Sequence, residues 1–179
     1  MKNGWLNRLY YGSLGIWFGA VVAEVLSAIS IFKMSKEYKA SPGVEPFNDP
    51  AFSEYASDIV AGFIANKMFN MMHILELICF VLVVAAVIGL AKSGAKIKKL
   101  PIVCIVFAGL SILFTFVWIS PEMSTLKQTM YNPAAEEAAR AAARSGFDSY
   151  HKITEKLISM AGFAVFIALN LANVKQENA

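Results

Sequence analysis

The sequence predicts an all-α integral membrane protein, a four-helix bundle with outward-projecting helices in its two long loops. Three observations predict it. Of 179 residues, 57% are hydrophobic and only 16% charged, a balance that belongs to membrane chains. The apolar residues collect in four stretches, about 9–32, 71–91, 100–120 and 156–174. Each is close to the ~20 residues that a helix needs to cross ~30 Å of hydrocarbon. Between the second and third stretches, Lys92, Lys96, Lys98 and Lys99 crowd a short connection without an acid, whereas both long loops hold more acids than bases. The positive-inside rule then puts both termini in the cytoplasm, beneath an inner or plasma membrane, and the long loops outside.

Taken in order, the first stretch follows Lys2 and Arg8 and ends among small residues, as a secretory leader would. Its apolar run exceeds the roughly 7–15 residues of a leader core, so a retained helix is expected. Trp5, Tyr10, Tyr11 and Trp17 suit an inner aromatic belt, and Trp118 an outer one. In the first long loop Ser41-Pro42-Gly43 reads as a turn, and Asp49 before Pro50 as an N-cap. Helical periodicity then continues to Ala91. Either the second helix projects outward by several turns, or a surface helix over about 50–70 breaks near Ala61-Gly62. The third span closes at Ser120, just before Pro121. Beyond it, Asn132-Pro133, the acids Glu136 and Glu137, the bases Arg140 and Arg144, and Gly146 spell a separate short helix over about 133–145. Gly15 and Gly19 in the first span, and Ala164, Ala168 and Ala172 in the fourth, offer small-residue faces for packing within the chain.

Several function classes drop out. A net charge of +3, spread along the chain, gives no basic patch for nucleic acid, and no zinc-finger spacing occurs. No nucleophile elbow, metalloprotease motif or phosphate-cradling loop is present, so the reading leans away from an enzyme. Cys79 and Cys104 fall roughly 12 Å apart in depth at 1.5 Å per residue, too far for a bridge, and read as buried thiols. The expected partner is the lipid bilayer, with a homo-oligomer or larger membrane complex left open.

The chemistry lies in five ionisable residues. Burying a charge in hydrocarbon costs at least ~2.5 kcal/mol on insertion scales, so such groups face inward and often mark function. Glu24 sits about 12 Å below the outer end of the first span. His73 and Glu76 are three apart in the second span, and His151 and Glu155 four apart at the start of the fourth, so each pair shares a helix face. Topology turns all five toward the outer side. Four readings are open: polar groups that only bond helices together, a proton or cation relay through Glu24 and Glu76, a metal site of His73, Glu76, His151 and Glu155, and a b-type haem between His73 and His151. Met34, Met68, Met71, Met72, Met123, Met130 and Met160 gather toward the same side, a set that would suit a soft ion.

Some segments resemble a known family. They are Gly15-Ile16-Trp17-Phe18-Gly19, Ala61-Gly62 with Asn66-Lys67-Met68-Phe69, Ser120-Pro121-Glu122-Met123, and Phe147-Asp148-Ser149-Tyr150-His151-Lys152-Ile153-Thr154. In these the chain resembles the transmembrane protein 205 family, small four-helix membrane proteins. The resemblance implies a four-helix membrane fold and no established activity. It carries over His151 and Pro121, but not Glu24 or Glu76. The expected function is therefore a small membrane protein that binds a cation or small ligand through Glu24, His73 and Glu76, in transport or as accessory to a transporter or redox complex. The rival is a structural or assembly subunit without a ligand.

Overall fold

The computed structural model describes residues 4–39, 56–132 and 134–171. It is all-α. Helix α1 spans Gly4–Lys39, α2 Ala56–Lys92, α3 Lys99–Phe114, α4 Ser120–Met130 and α5 Glu137–Leu171, with a π-helical turn, Thr115–Ile119, joining α3 to α4. Helix α1 packs along α2, α2 also touches α3, and α5 lies against both α3 and α1. Four helical segments, Gly4–Met34, Ile64–Lys92, Lys99–Met130 and Glu137–Leu171, are long and apolar enough to cross a membrane.

A repeat of seven aligns the core. On α1, Tyr10, Trp17 and Glu24 are all buried; on α2, Glu76, Val83 and Leu90 are. Residues seven apart return to nearly the same helix face, so these two rows form one seam. The helices run antiparallel, which brings Leu6 to Gly89 at one end and Trp17 edge-on to Phe80 in the middle, with ring centroids 5.9 Å apart. Continuing the seam places Glu24 opposite His73 and Glu76. The two charged ends of the rows thus meet.

Outside the seam the polarity is reversed from that of a soluble protein. Ile29, Val81, Val103, Val117, Trp118 and Phe163 are each more than 60% exposed, while the side chains of Glu24, His73 and Glu76 are not. Large apolar surfaces around buried polar groups suit hydrocarbon as solvent.

Glycines set the close approaches. A Cβ on Gly162 would lie 2.6 Å from Val21 Cγ1, and one on Gly109 would run into the Phe80 ring. Gly94, at φ 81°, ends α2: its N–H donates to Ala91 O, and Ala95 N–H donates back to Leu90 O at 3.0 Å. That pair of bonds is the Schellman closure, and it turns the lysine-rich connection within a few residues.

Several sequence expectations need correction. Tyr10 and Trp17 are fully buried rather than part of an aromatic belt, because their seven-residue spacing from Glu24 puts them on the core face; Trp5 and Trp118 do face outward. The helix of the third apolar stretch does not end at Ser120. Ser120 N–H donates five residues back to Thr115 O, and this widened turn precedes Pro121, which has no N–H to give. The helix therefore continues to Met130. Nor does the alanine-rich segment stop at Gly146. Asn132 Oδ1 accepts from Ala134 N–H at 2.9 Å, closing a turn, and α5 then runs unbroken from Glu137 into the fourth apolar stretch. Gly146 lies where Leu126 of α4 packs, so it permits helix contact and caps nothing. Gly15 and Gly19 point away from the other helices, with open space beyond them, whereas Ala164 and Ala168 are buried as expected. Helix α2 passes through Ala61-Gly62 without a break. The Ser41-Pro42-Gly43 turn, the Asp49-Pro50 cap and Ala172 lie outside the described residues.

Candidate cation site

The site is made where the α1 and α2 rows meet. Glu24 is the third buried residue of the Tyr10, Trp17, Glu24 row. His73 comes three residues before Glu76, so the two share the inward face of α2. Glu24, His73 and Glu76 are 3%, 3% and 1% exposed. One potential ligand atom from each lies within 4.8 Å of the others. His73 Nε2 approaches Glu24 Oε1 to 3.5 Å.

What these groups lack matters as much. Both oxygens of Glu24, both ring nitrogens of His73 and both oxygens of Glu76 have no hydrogen-bond partner. The 3.5 Å approach of His73 to Glu24 is an ion-pair distance without hydrogen-bond geometry. A buried polar group left unsatisfied costs about 1–3 kcal/mol, and more if charged. Buried hydroxyls elsewhere are treated otherwise. Ser111 Oγ donates to Phe107 O at 2.9 Å, and Thr115 Oγ1 donates to Ser111 O at 3.0 Å. Ser111 and Thr115 are satisfied from the preceding helical turn, whereas the two carboxylates and the imidazole are left facing each other.

His151 and Glu155 are elsewhere. His151 Nε2 lies 3.2 Å from Glu155 Oε1, but these side chains are 40% and 64% exposed. The His151 ring stacks on Phe147 at 6.1 Å, and Lys127 Nζ sits 5.3 Å from the same Phe147 ring. This patch belongs to the contact between α4 and α5, together with Leu126 against Gly146. The structure thus gathers Glu24, His73 and Glu76, and leaves His151 and Glu155 as a separate surface pair. The two histidines, one enclosed and one on the surface, do not share a site.

Neighbouring groups outside the five ionisable residues complete the seam. Tyr10 Oη and Trp17 Nε1 are also buried without a partner. Cys79 is buried on α2, one turn beyond Glu76, and both cysteines are free. For Tyr10 and Trp17 the signal in the sequence is the seven-residue spacing to Glu24. The methionines scatter: Met34, Met71 and Met160 are each more than half exposed, and Met123 Sδ contacts Thr154 Oγ1 at 3.9 Å.

No protein-family model matches the chain, and comparisons with curated proteins and with solved structures return no match either. The site must be read from its own chemistry.

Proposed function

We propose that this chain is a multi-pass membrane protein, a four-helix bundle that binds a cation between Glu24 and the His73–Glu76 pair. It would act in transport, or as accessory to a transporter or redox complex. One observation carries the proposal: three buried side chains on two helices, whose six polar atoms have no partner, bring one ligand atom each to within 4.8 Å of the others. Groups that only hold helices together bond across to a neighbouring backbone or hydroxyl, whereas the trio bonds to neither. Groups that wait for an ion keep their lone pairs free.

The outward apolar faces of four long helices support membrane insertion. The lysine-rich connection supports cytoplasmic termini. Membership of the transmembrane protein 205 family is part of the same proposal, supported by Ser120-Pro121-Glu122-Met123 and by Phe147 through Thr154.

The test is cation content. Full-length protein purified in detergent is stripped with chelator, dialysed separately against Na⁺, K⁺, Ca²⁺, Mg²⁺, Mn²⁺, Co²⁺ and Zn²⁺, and analysed for bound element. At least one cation is expected near one per chain, and it should be lost in E24Q/H73Q/E76Q. A wild type that retains none of them, with both proteins equally helical, would remove the proposal.

A further inference from the structure

Resting on the cation-binding proposal, we infer that the ion is a divalent first-row transition metal, held by Glu24, His73 and Glu76 with at least one coordination position left open.

Charge comes first. Two carboxylates and a neutral imidazole present a charge of −2, and a divalent ion makes the site neutral. A monovalent ion leaves −1 and a trivalent ion +1. Either residue of charge would sit on three side chains that are each no more than 3% exposed. A net charge in such surroundings costs several kcal/mol. Among the described residues, none of the three members has a cation at salt-bridge distance other than His73 itself.

Ligand type narrows the choice among divalent ions. Calcium takes roughly 6–8 oxygens, and magnesium a near-ideal octahedron of them. Only the two carboxylates of the trio supply oxygen. Imidazole beside carboxylate suits zinc, iron, cobalt, nickel or copper(II). The 3.5 Å from His73 Nε2 to Glu24 Oε1 is near the ~3.3 Å edge of a tetrahedron with bonds of ~2.0–2.1 Å. A soft ion such as Cu(I) would want sulfur, but Cys79 is outside the trio and Met34, Met71 and Met160 face outward.

Ligand number says how the ion is held. Structural zinc sites close with four protein ligands, whereas three leave a position for water or an exchanging group. Three side chains from two adjacent helices therefore leave at least one position on the ion for water or an exchanging group.

Co²⁺ is a suitable probe because its visible absorption reports a low-symmetry site with nitrogen and oxygen ligands. Chelator-stripped full-length protein is titrated with Co²⁺. The expected result is a spectrum that saturates at one Co²⁺ per chain, is displaced by Zn²⁺, and survives a hundredfold excess of Ca²⁺, Mg²⁺, Na⁺ or K⁺. E24Q and E76Q should each weaken Co²⁺ by at least about tenfold, the lower end of what even outer-shell losses do to a metal site. E24D and E76D keep the charge, so they should retain more affinity than the amides and guard against a mere folding defect. H73Q keeps both carboxylates and should lose Co²⁺ more than Mn²⁺, because only the nitrogen ligand is gone. Binding of Ca²⁺, Na⁺ or K⁺ in place of Co²⁺ would overturn the inference while leaving a cation site. A Co²⁺ spectrum unchanged in E24Q, E76Q and H73Q would overturn it as well. Retention of no cation at all would take the underlying proposal with it.

Discussion

The chain pairs histidine with glutamate twice, and the two pairs are opposites. His73 and Glu76 lie three apart on α2, with Glu24 joining them from α1, and all three are buried. His151 and Glu155 lie four apart on α5 and are exposed. The surface pair makes its own contact at 3.2 Å and needs nothing more, since water can satisfy the remaining atoms. The buried trio leaves six atoms unsatisfied where no bulk water reaches. Spacing along a helix says only that two side chains can meet. Register against a neighbouring helix decides whether they meet in a core or at the surface.

The largest expected effect breaks this comparison outright. E24Q/E76Q should lose at least about a hundredfold in Co²⁺ affinity, which is ~2.8 kcal/mol at 1.4 kcal/mol per tenfold. H151A/E155A should stay within about twofold, since a surface pair that coordinates nothing contributes nothing to K. Calorimetry or spectral titration of both variants decides it. If the surface variant loses affinity and the buried one does not, the functional assignment of the two pairs is reversed.

How far was this legible beforehand? The four spans follow from apolar length alone, and the structure has four helices that meet that requirement. That His73 and Glu76 share a face is a property of one helix, so the spacing gave it. Glu24 joining them is a property of two helices, and only the row Tyr10, Trp17, Glu24 against Glu76, Val83, Leu90 fixes it. Reading Tyr10 and Trp17 as interfacial aromatics hid that row. Grouping His151 with the buried residues failed for a related reason: depth was inferred, but rotation about the helix axis was not. The stop signals Pro121 and Gly146 misled because their usual effects were absorbed. A π turn accommodates Pro121, and Leu126 packed at Gly146 makes the glycine a contact point rather than a terminus.

A second test sharpens the comparison through packing. Gly162 meets Val21, three residues before Glu24 on the same helix. Gly162→Leu would push α1 from α5 and strain the seam, destabilising by about 1–3 kcal/mol as overpacked cores do. Co²⁺ affinity should fall with it. Gly146→Ala, near the surface pair, meets Leu126 no closer than 3.3 Å and should leave Co²⁺ affinity unchanged. Thermal unfolding in detergent, paired with the titration, reads both; equal losses of affinity would uncouple packing at Val21 from the site.

A third test uses the unsatisfied atoms themselves. Replacing Glu76 with methionine, of similar size, removes two buried oxygens without partners. Without metal, E76M should be more stable than wild type by about 1–3 kcal/mol, the cost of an unsatisfied buried group. With saturating Zn²⁺ the order should reverse, because an ion that binds only the native state adds stability to the wild type alone. E155M should be neutral in both conditions. If E76M is destabilising in chelator, Glu76 has a bonding partner and the trio is structural.

Smaller still is the turn that sets where α2 ends. Gly94 has φ of 81°, which costs an L residue roughly 1–2 kcal/mol. Gly94→Ala should destabilise by about that amount without touching Co²⁺ affinity, because the Schellman turn lies at the opposite end of α2 from Ala56, more than a dozen residues beyond His73. Thermal unfolding with and without Zn²⁺ checks it. A change in metal affinity would mean that the turn sets the register of the whole seam.

The smallest effect is at the surface pair. An exposed ion pair contributes about 0–1 kcal/mol and is screened by salt. His151→Ala should therefore lower stability by no more than a few tenths at low salt and by nothing measurable at high salt, where His73→Ala alters both stability and metal binding at either. The stack of His151 on Phe147, with Lys127 over the same ring, leaves a packing contribution that salt does not remove. Unfolding of His151→Ala, Phe147→Leu and the double variant at two ionic strengths separates the two parts. A salt-independent loss shared by His151→Ala and Phe147→Leu, and not doubled in the double variant, assigns the surface histidine to the joint between α4 and α5. A loss confined to low salt assigns it to the pair with Glu155.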